Sequence, residues 1–410
     1  MKIRMYLACA AAVALCSACS SDEGPDDKEN GGARVESRGL ELSADEQEIV
    51  DAESIFAIKF FDAAYEEENM VFSPLSASCN LSLLANAATG ETRTQLLEVL
   101  GCDDIESLNA LNHKLLSELG ALDKKNVIIS MANSVWLNSL LEVSVAPEFE
   151  NAATAYCAPV SSCPFDDNIH NVINGWVEDN TRQMIKSMYD KGDINKDSDL
   201  AILVNAMYFN GKFAKKFDKK NTELQKFYFI DGREEYVPMM SDDFCVPCIK
   251  NERLNACSLK FGNSAFELVL AMPKEGNSLI DAAKEALTLD KNYKKSLTIS
   301  MPKFENAYTV DFGNVYNKLG IDTRGSFDNI HTAYDDIAYD IMGFKTKFRT
   351  SQKTSFKVDE DGAEGATSTS SVVGMVYADV VERMRFDHAF VYMIREKASG
   401  AIVLMGTYVK

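Results

Sequence analysis

Asp359-Glu-Asp-Gly-Ala-Glu-Gly-Ala-Thr-Ser-Thr-Ser-Ser371, followed directly by Val372-Val-Gly-Met-Val-Tyr-Ala-Asp-Val-Val381, is the stretch whose reading decides the fold. Composition alone makes the small-residue run a flexible linker. Position argues otherwise. A strand-like segment precedes it at 350–358. Two apolar runs follow it at 390–395 and 401–409, around Lys397-Ala-Ser-Gly400, and read as a buried hairpin. A long loop between two such elements lies inside a domain, where long loops are functional. Alternate residues from Ala363 are Gly365, Thr367, Thr369, Ser371, Val373 and Met375, all uncharged. The other set holds Glu364, Ala366, Ser368, Ser370 and Val372, and carries the single charge. With a period of two, one face can be buried, and no Pro prevents pairing. The stretch reads as a loop that can also be a central strand.

Working outward, Ser43-Ala-Asp-Glu46 is a capping box, and Ile49, Ala52, Phe56, Phe60 and Ala63 share one helical face behind it. A short strand at 69–72 leads to Ser73-Pro74, an N-cap with Pro at the first helical position. The helix after it, 75–88, is apolar nearly all round and is predicted to be buried. A further helix spans 91–100 and ends at Gly101; 168–186 reads as another. Residues 127–137 and 201–209 read as strands, the second with one amide, Asn205, inside it. The rest is mainly strand-like, at 224–230, 235–240, 256–261, 265–272 and 297–304. Helices first and strands later predict an α+β fold with large late sheets. No linker or repeat divides 43–410.

The 410 residues are 46% hydrophobic and 25% charged, a globular balance. A net charge of −20 argues against nucleic acid, heparin-type polyanions and anionic lipid as partners. GxSxG, HExxH, Walker and GxGxxG motifs are absent. Of the four His, His113 and His170 fall in predicted helices, His331 in a polar loop and His388 between Asp387 and Ala389. None has the neighbours that catalysis or metal binding needs, so neither an enzyme nor a cofactor or metal site is expected. Cys245-Val-Pro-Cys248 is a lone CxxC without a second pair, and the scattered cysteines read as mostly buried thiols rather than a disulfide framework.

Residues 1–18 carry Lys2 and Arg4, an apolar run too short to span a bilayer, and small residues before Cys19. This resembles a bacterial lipoprotein signal in which Cys19 is lipidated; Cys16, preceded by Leu15, fits less well. Ser20-Ser-Asp-Glu23 resembles the surface-export signals of Bacteroidetes lipoproteins. Residues 19–42 read as a flexible acidic tether. The expected location is the outer membrane or cell surface of a Gram-negative bacterium, with secretion or the periplasm as the alternative.

At Glu360-Asp-Gly362-Ala-Glu364-Gly-Ala366 the chain resembles the reactive-centre hinge of inhibitory serpins. Asn69-Met-Val-Phe-Ser-Pro-Leu-Ser76 with Thr89-Gly-Glu-Thr92 is similar to the family's N-terminal signature. Ile173-Asn-Gly-Trp-Val-Glu178 and Leu203-Val-Asn-Ala-Met-Tyr-Phe-Asn-Gly-Lys212 follow in family order. So do Val237-Pro-Met-Met240, Met301-Pro-Lys-Phe304 and Phe386-Asp-His-Ala-Phe390. The matches run from 69 to about 408.

The resemblance implies a domain over 43–410 with eight to nine helices around three β-sheets and an exposed reactive-centre loop at about 360–381. It implies a monomeric suicide inhibitor of serine proteases, with papain-like cysteine proteases as further targets. The loop would be cut by its target and inserted into the central sheet. The alternative is a non-inhibitory binding or structural module. The implied hinge is Glu360, Gly362, Ala363, Glu364, Gly365, Ala366 and Thr367. Counting from the hinge puts the scissile bond at Val376–Tyr377, with Met375 and Ala378 as alternatives. Val376 suits elastase-like enzymes and Tyr377 chymotrypsin-like ones. No Arg or Lys lies between 361 and 382, so trypsin-like targets are not expected. The implied shutter is Ser73, Ser76, Asn205 and Gln352. Gln352 stands where the family has His, Phe213 where Trp is usual, and Ala389 where Pro is usual. Gln352 still donates and accepts, but its bonds to Ser73, Ser76 and Asn205 must differ in detail.

Overall fold

The computed structural model describes residues 39–321, 327–331, 347–363 and 382–410. All lie in one compact unit, Glu36–Lys410. Cys19, Glu364 to Thr367 and Met375 to Ala378 lie outside the described residues.

Helix α1 (Ala44–Ala64) starts at the capping box: Ser43 Oγ accepts from Glu46 N at 3.2 Å, and Glu46 Oε2 accepts from Ser43 N at 2.7 Å. Within the segment read as tether, Leu40 is already buried and its N–H donates to Glu396 Oε1. Strand β1 (Val71–Phe72) leads into α2 (Pro74–Ala87), whose first turn is capped by Ser73 Oγ accepting from Ser76 N at 3.2 Å. Nearly every residue of α2 is buried, as its apolar circumference predicts. Helices α3 (Gly90–Leu100), α4 (Ile105–Glu118), α5 (Pro147–Ala155) and α6 (Ile169–Asn180) complete the helical half.

A six-stranded sheet runs β11 (Phe304–Asp311), β13 (Lys347–Val358), β5 (Asp199–Lys212), β2 (Val127–Asn138), β4 (Val160–Cys163), and β14 (Gly362–Ala363) pairs with β5. Side chains alternate across it. On β5, Ala201, Leu203, Met207 and Phe209 enter the principal core, while Ile202, Val204 and Ala206 join a second cluster with Ile173 and Val177 of α6. Strand β7 (Glu234–Lys250) joins two further sheet regions. It pairs with β6 (Glu223–Tyr228) and β10 (Lys294–Pro302), and its last residues pair with β8 (Leu254–Lys260). Beyond β8 lie β9 (Phe266–Pro273), β16 (Phe390–Glu396), β17 (Ile402–Tyr408) and β1; β15 (Glu382–Arg385) edges β10. Strands β3 (Ser144–Val145) and β12 (Ile330–His331) form a separate small ribbon, so His331 is in a strand and not a loop.

Two other expectations need correction. The helix read over 168–186 stops at Asn180, because Arg182 and Gln183 adopt left-handed φ of 54° and 64°. The strand-rich second half also holds α7 (Leu279–Ala286), capped by Ser278, and α8 (Phe312–Lys318), capped by Asp311. Eight α-helices are present among the described residues.

One buried charge-capable group lies between α1 and α2. Glu53 is buried and accepts from Ser78 Oγ at 2.5 Å. Burial pushes its carboxyl from 4.5 up to about 7, against the lowering effect of the Ser78 bond. Its titratable neighbours Cys79, Cys102 and Tyr156 are themselves held neutral by burial. The folded chain keeps this proton where the unfolded chain releases it. Stability should therefore fall between pH 4.5 and 7, by about 3 kcal/mol, and level off above. Glu53→Gln should flatten that slope, read as the denaturant midpoint at pH 5 against pH 8; an unchanged slope would contradict the assignment.

Candidate functional site: a seam between two central strands

Strands β13 and β5 are parallel neighbours, in register from Lys347↔Asp199 to Ser355↔Tyr208 with a slip after the first pair. Above Ser355 that ladder ends, while β13 continues along β11 to Val358 and β5 continues along β2 to Gly211. Into the top of this gap turns β14, antiparallel to β5, with Gly362↔Lys212 and Ala363↔Gly211.

The reversal is a tight turn. Asp359 N donates to Gly362 O at 2.8 Å and Gly362 N to Asp359 O at 3.2 Å. Gly362 has φ +137°, and a Cβ there would lie 2.1 Å from the Gly211 carbonyl oxygen. Only glycine fits this approach. Ala363 is fully buried in the principal core, as the first member of the uncharged alternate set should be.

The turn is held from one side by the segment after β5. Phe213 N donates to Asp361 O at 3.0 Å and Phe217 N to Glu360 O at 3.1 Å. Asp361 pairs with Lys216 at 2.6 Å and Lys219 at 2.8 Å, and these bonds lower its carboxyl below the usual range. Glu360 is buried. Desolvation raises its carboxyl, but hydrogen bonds from Lys303 (2.9 Å) and Thr222 (2.8 Å) outweigh this and hold it low. Phe213 fills its site by stacking on Phe261, centroids 5.1 Å apart and planes 4° from parallel.

Lower in the seam, three of the four residues expected to form a shutter, Ser73, Asn205 and Gln352, come together at a row of amides under α2. Gln352 Nε2 donates to Asn205 Oδ1 at 2.7 Å, and Gln352 Oε1 accepts from Ser73 N at 2.7 Å. Asn205 Nδ2 donates to Asn133 Oδ1 at 2.5 Å, and Asn133 Nδ2 to Tyr156 O at 2.9 Å. Gln352, Asn205 and Asn133 are successive cross-strand partners, so one polar line crosses three strands inside an apolar core. Gln352 therefore binds the Ser73 backbone rather than a hydroxyl. The buried Ser76 Oγ has no hydrogen-bond partner among the described residues, so its side chain does not join this row as expected. Asn133 was not singled out from the sequence; a lone amide inside the strand 127–137 was the available signal.

The opposite face carries a second closure. The segment after α6 crosses the seam: Ile185, Met188 and Tyr189 pack with Ile202 and Val204 of β5, and Tyr189 Oη shares a 2.6 Å hydrogen bond with Ser351 Oγ of β13. At the foot, Arg349 Nε of β13 meets the buried Asp199 of β5 at 3.1 Å. A strand entering here would move β5 and β13 apart by about 4.8 Å and break the bonds held across the gap, Gln352–Asn205, Tyr189–Ser351 and Arg349–Asp199. Among the described residues no group of three His, Cys, Asp or Glu could hold a metal. His113 binds the Ala155 carbonyl, and His388 binds its neighbour Asp387.

Removing both partners of the seam bond, with Tyr189→Phe and Ser351→Ala, should make opening easier by about 1 kcal/mol, roughly fivefold in rate. The rate at which a synthetic peptide of the 363–375 sequence anneals to the chain measures this; no acceleration would mean the bond does not restrain the seam.

The family model described as Serpin (serine protease inhibitor) matches residues 51–410. Serpin-Z1C of Triticum aestivum is 27% identical over 359 residues, covering 82% of this chain and 89% of its own. A serine protease inhibitor of Cyanea capillata is 25% identical over 378 residues, covering 86% and 96%. Among solved structures, the thermophilic serpin tengpin in its native state superposes with a TM-score of 0.79 at 22% identity, over 91% of this chain and 96% of that one. A seam closed directly between β5 and β13, with the hinge turning into its top, is thus framed by a match over nearly the whole folded part, and the chain belongs to the serpin family, whose members are generally serine protease inhibitors.

Proposed function

We propose that this serpin is an inhibitor that acts as a suicide substrate: a serine protease cuts the reactive-centre loop, and the freed segment enters the β5–β13 seam before the acyl-enzyme is hydrolysed. The observation that carries the reading is the β14 register. Continued down β5 from Gly362↔Lys212 and Ala363↔Gly211, it pairs Thr369 with Asn205 and Met375 with Asp199, the first residue of β5. The uncharged set from Ala363 to Met375 would then face the principal core. The other set, carrying Glu364, would face α6. Insertion would consume the sheet as far as Met375 and leave Val376–Tyr377 just beyond it, where the count from the hinge also puts the scissile bond.

The driving force is sufficient. About a dozen ladder bonds at roughly 1 kcal/mol each supply on the order of 10 kcal/mol. Opening costs the Gln352–Asn205, Tyr189–Ser351 and Arg349–Asp199 bonds in return. Val376 and Tyr377 point to elastase-like or chymotrypsin-like targets, with papain-like cysteine proteases as a further class, since a cut after Tyr377 would place Val376, the second residue before the bond, where these read an apolar side chain.

Incubation with elastase, chymotrypsin, trypsin and papain should give a complex that survives SDS with one of the first two, and N-terminal sequencing of the released fragment should begin at Tyr377 or Ala378. Cleavage without complex by every enzyme would favour the binding-module reading instead. Ala363→Arg would place a guanidinium where the core closes over Ala363, and should turn the inhibitor into a substrate that is cut but does not trap.

Export and lipidation at Cys19 belong to the same proposal: an anchored inhibitor would protect the surface that bears it. Cys19→Ala should move the protein from the membrane to the soluble fraction; continued membrane association would rule the anchor out.

A further inference from the structure

Cys245 and Cys248 form an isolated CxxC in the sequence, and the structure shows why they cannot pair with each other. Both lie in the extended strand β7. Three residues along a strand span about 10 Å and end on opposite faces, whereas a disulfide needs Cα atoms within about 7 Å. Cys245 is exposed and Cys248 is buried.

The register supplies Cys248 with a different partner. Across the β7–β8 hairpin, Lys250 opposes Asn255, Ile249 opposes Ala256, and Cys248 opposes Cys257. The hairpin closes with Asn251 N donating to Leu254 O at 3.2 Å, which makes 251 and 254 a hydrogen-bonded pair. Bonded and non-bonded pairs alternate along an antiparallel ladder. Hence 250–255 is non-bonded, 249–256 bonded and 248–257 non-bonded. Non-bonded pairs bring the Cα atoms to about 4.5 Å with both side chains on one face, within the range a disulfide spans. Both residues are free thiols here.

We propose that Cys248 and Cys257 form a cross-strand disulfide when the folded chain meets a small-molecule disulfide such as oxidised glutathione. Cys248, the less completely buried of the two, attacks one sulfur of the donor as its thiolate, forms a mixed disulfide and releases one glutathione thiolate. Cys257 then attacks the Cys248 sulfur, closing the protein bond and releasing the second. The two thiol protons end on the two glutathione molecules, and the two electrons leave with them. Burial raises both thiols above their ordinary range, so exchange should be slow at neutral pH and faster at alkaline pH. The bridge would sit where β7 passes from its pairing with β10 to its pairing with β8, away from the β5–β13 seam. The inference rests on strand register and is independent of the inhibitory reading.

The test uses the full chain, held in a glutathione redox buffer, quenched in denaturant with an alkylating agent and digested with trypsin without reduction. A peptide joining 234–250 to 254–260 is expected. It should persist in Cys245→Ser and vanish in Cys248→Ser and in Cys257→Ala. The oxidised parent should also unfold several degrees above the reduced one, a difference both of the latter variants lose. Recovery of Cys248 and Cys257 fully alkylated, of a Cys245–Cys248 link, or of glutathione retained on Cys248 would overturn the proposal.

Discussion

The fold depends on a ladder that is complete without being full. β5 and β13 satisfy each other's backbone groups as direct neighbours, which buried strands must do, yet the chain that follows β13 is already turned to lie between them. Polar bonds keep that arrangement closed at three places. The amide row Gln352–Asn205–Asn133 closes it from the core side, Tyr189 and Ser351 from the α6 side, and Arg349 with Asp199 at the foot. None of these is an apolar contact. A buried hydrogen bond is worth little net but is costly to leave half-made, so polar closures hold a precise register and release together once the strands part.

The hinge shows the same division of labour between backbone and charge. Gly362 permits an approach to Gly211 that no other residue allows, and this fixes where β14 meets β5. Asp361 with its two lysines, and Glu360 with Lys303, fix how firmly it is held. Lys216 and Lys219 come from the run after β5, so the strand that pairs with β14 also supplies the clamp on Asp361, while Lys303 reaches Glu360 from between β10 and β11.

Much of this was legible in the sequence because it is local or periodic. The caps at Ser43 and Ser73, the alternation of β5 and the small-residue register from Ala363 each need only a few neighbouring residues. Ser73, Asn205 and Gln352 could be named from the family resemblance, and the structure brings them together. What could not be read was partnership at a distance. Nothing in Lys216, Lys219 or Lys303 announces Asp361 or Glu360. Tyr189 looks like one more apolar residue until the chain crosses β13, and the Ser76 hydroxyl, a plausible member of the row, finds no partner there. The helices at 279–286 and 312–318 leave little trace in the sequence, because two turns are too short for a 3.6-residue period to stand out from the strands around them; the caps Ser278 and Asp311 are the remaining clues. The CxxC spacing misled in the opposite direction, since the register across the hairpin, and not the spacing along the chain, decides which sulfurs can meet.

Chain direction adds a bias that no single residue supplies. The β5–β13 ladder is parallel, with slanted bonds that are slightly weaker per residue than antiparallel ones. The turn at 359–362 reverses the chain, so a strand continuing from β14 would run antiparallel to both neighbours. One inferior ladder would be exchanged for two better ones. Under the proposed insertion, the downhill direction would thus be written into the connectivity, and side chains at the seam would mainly set the rate.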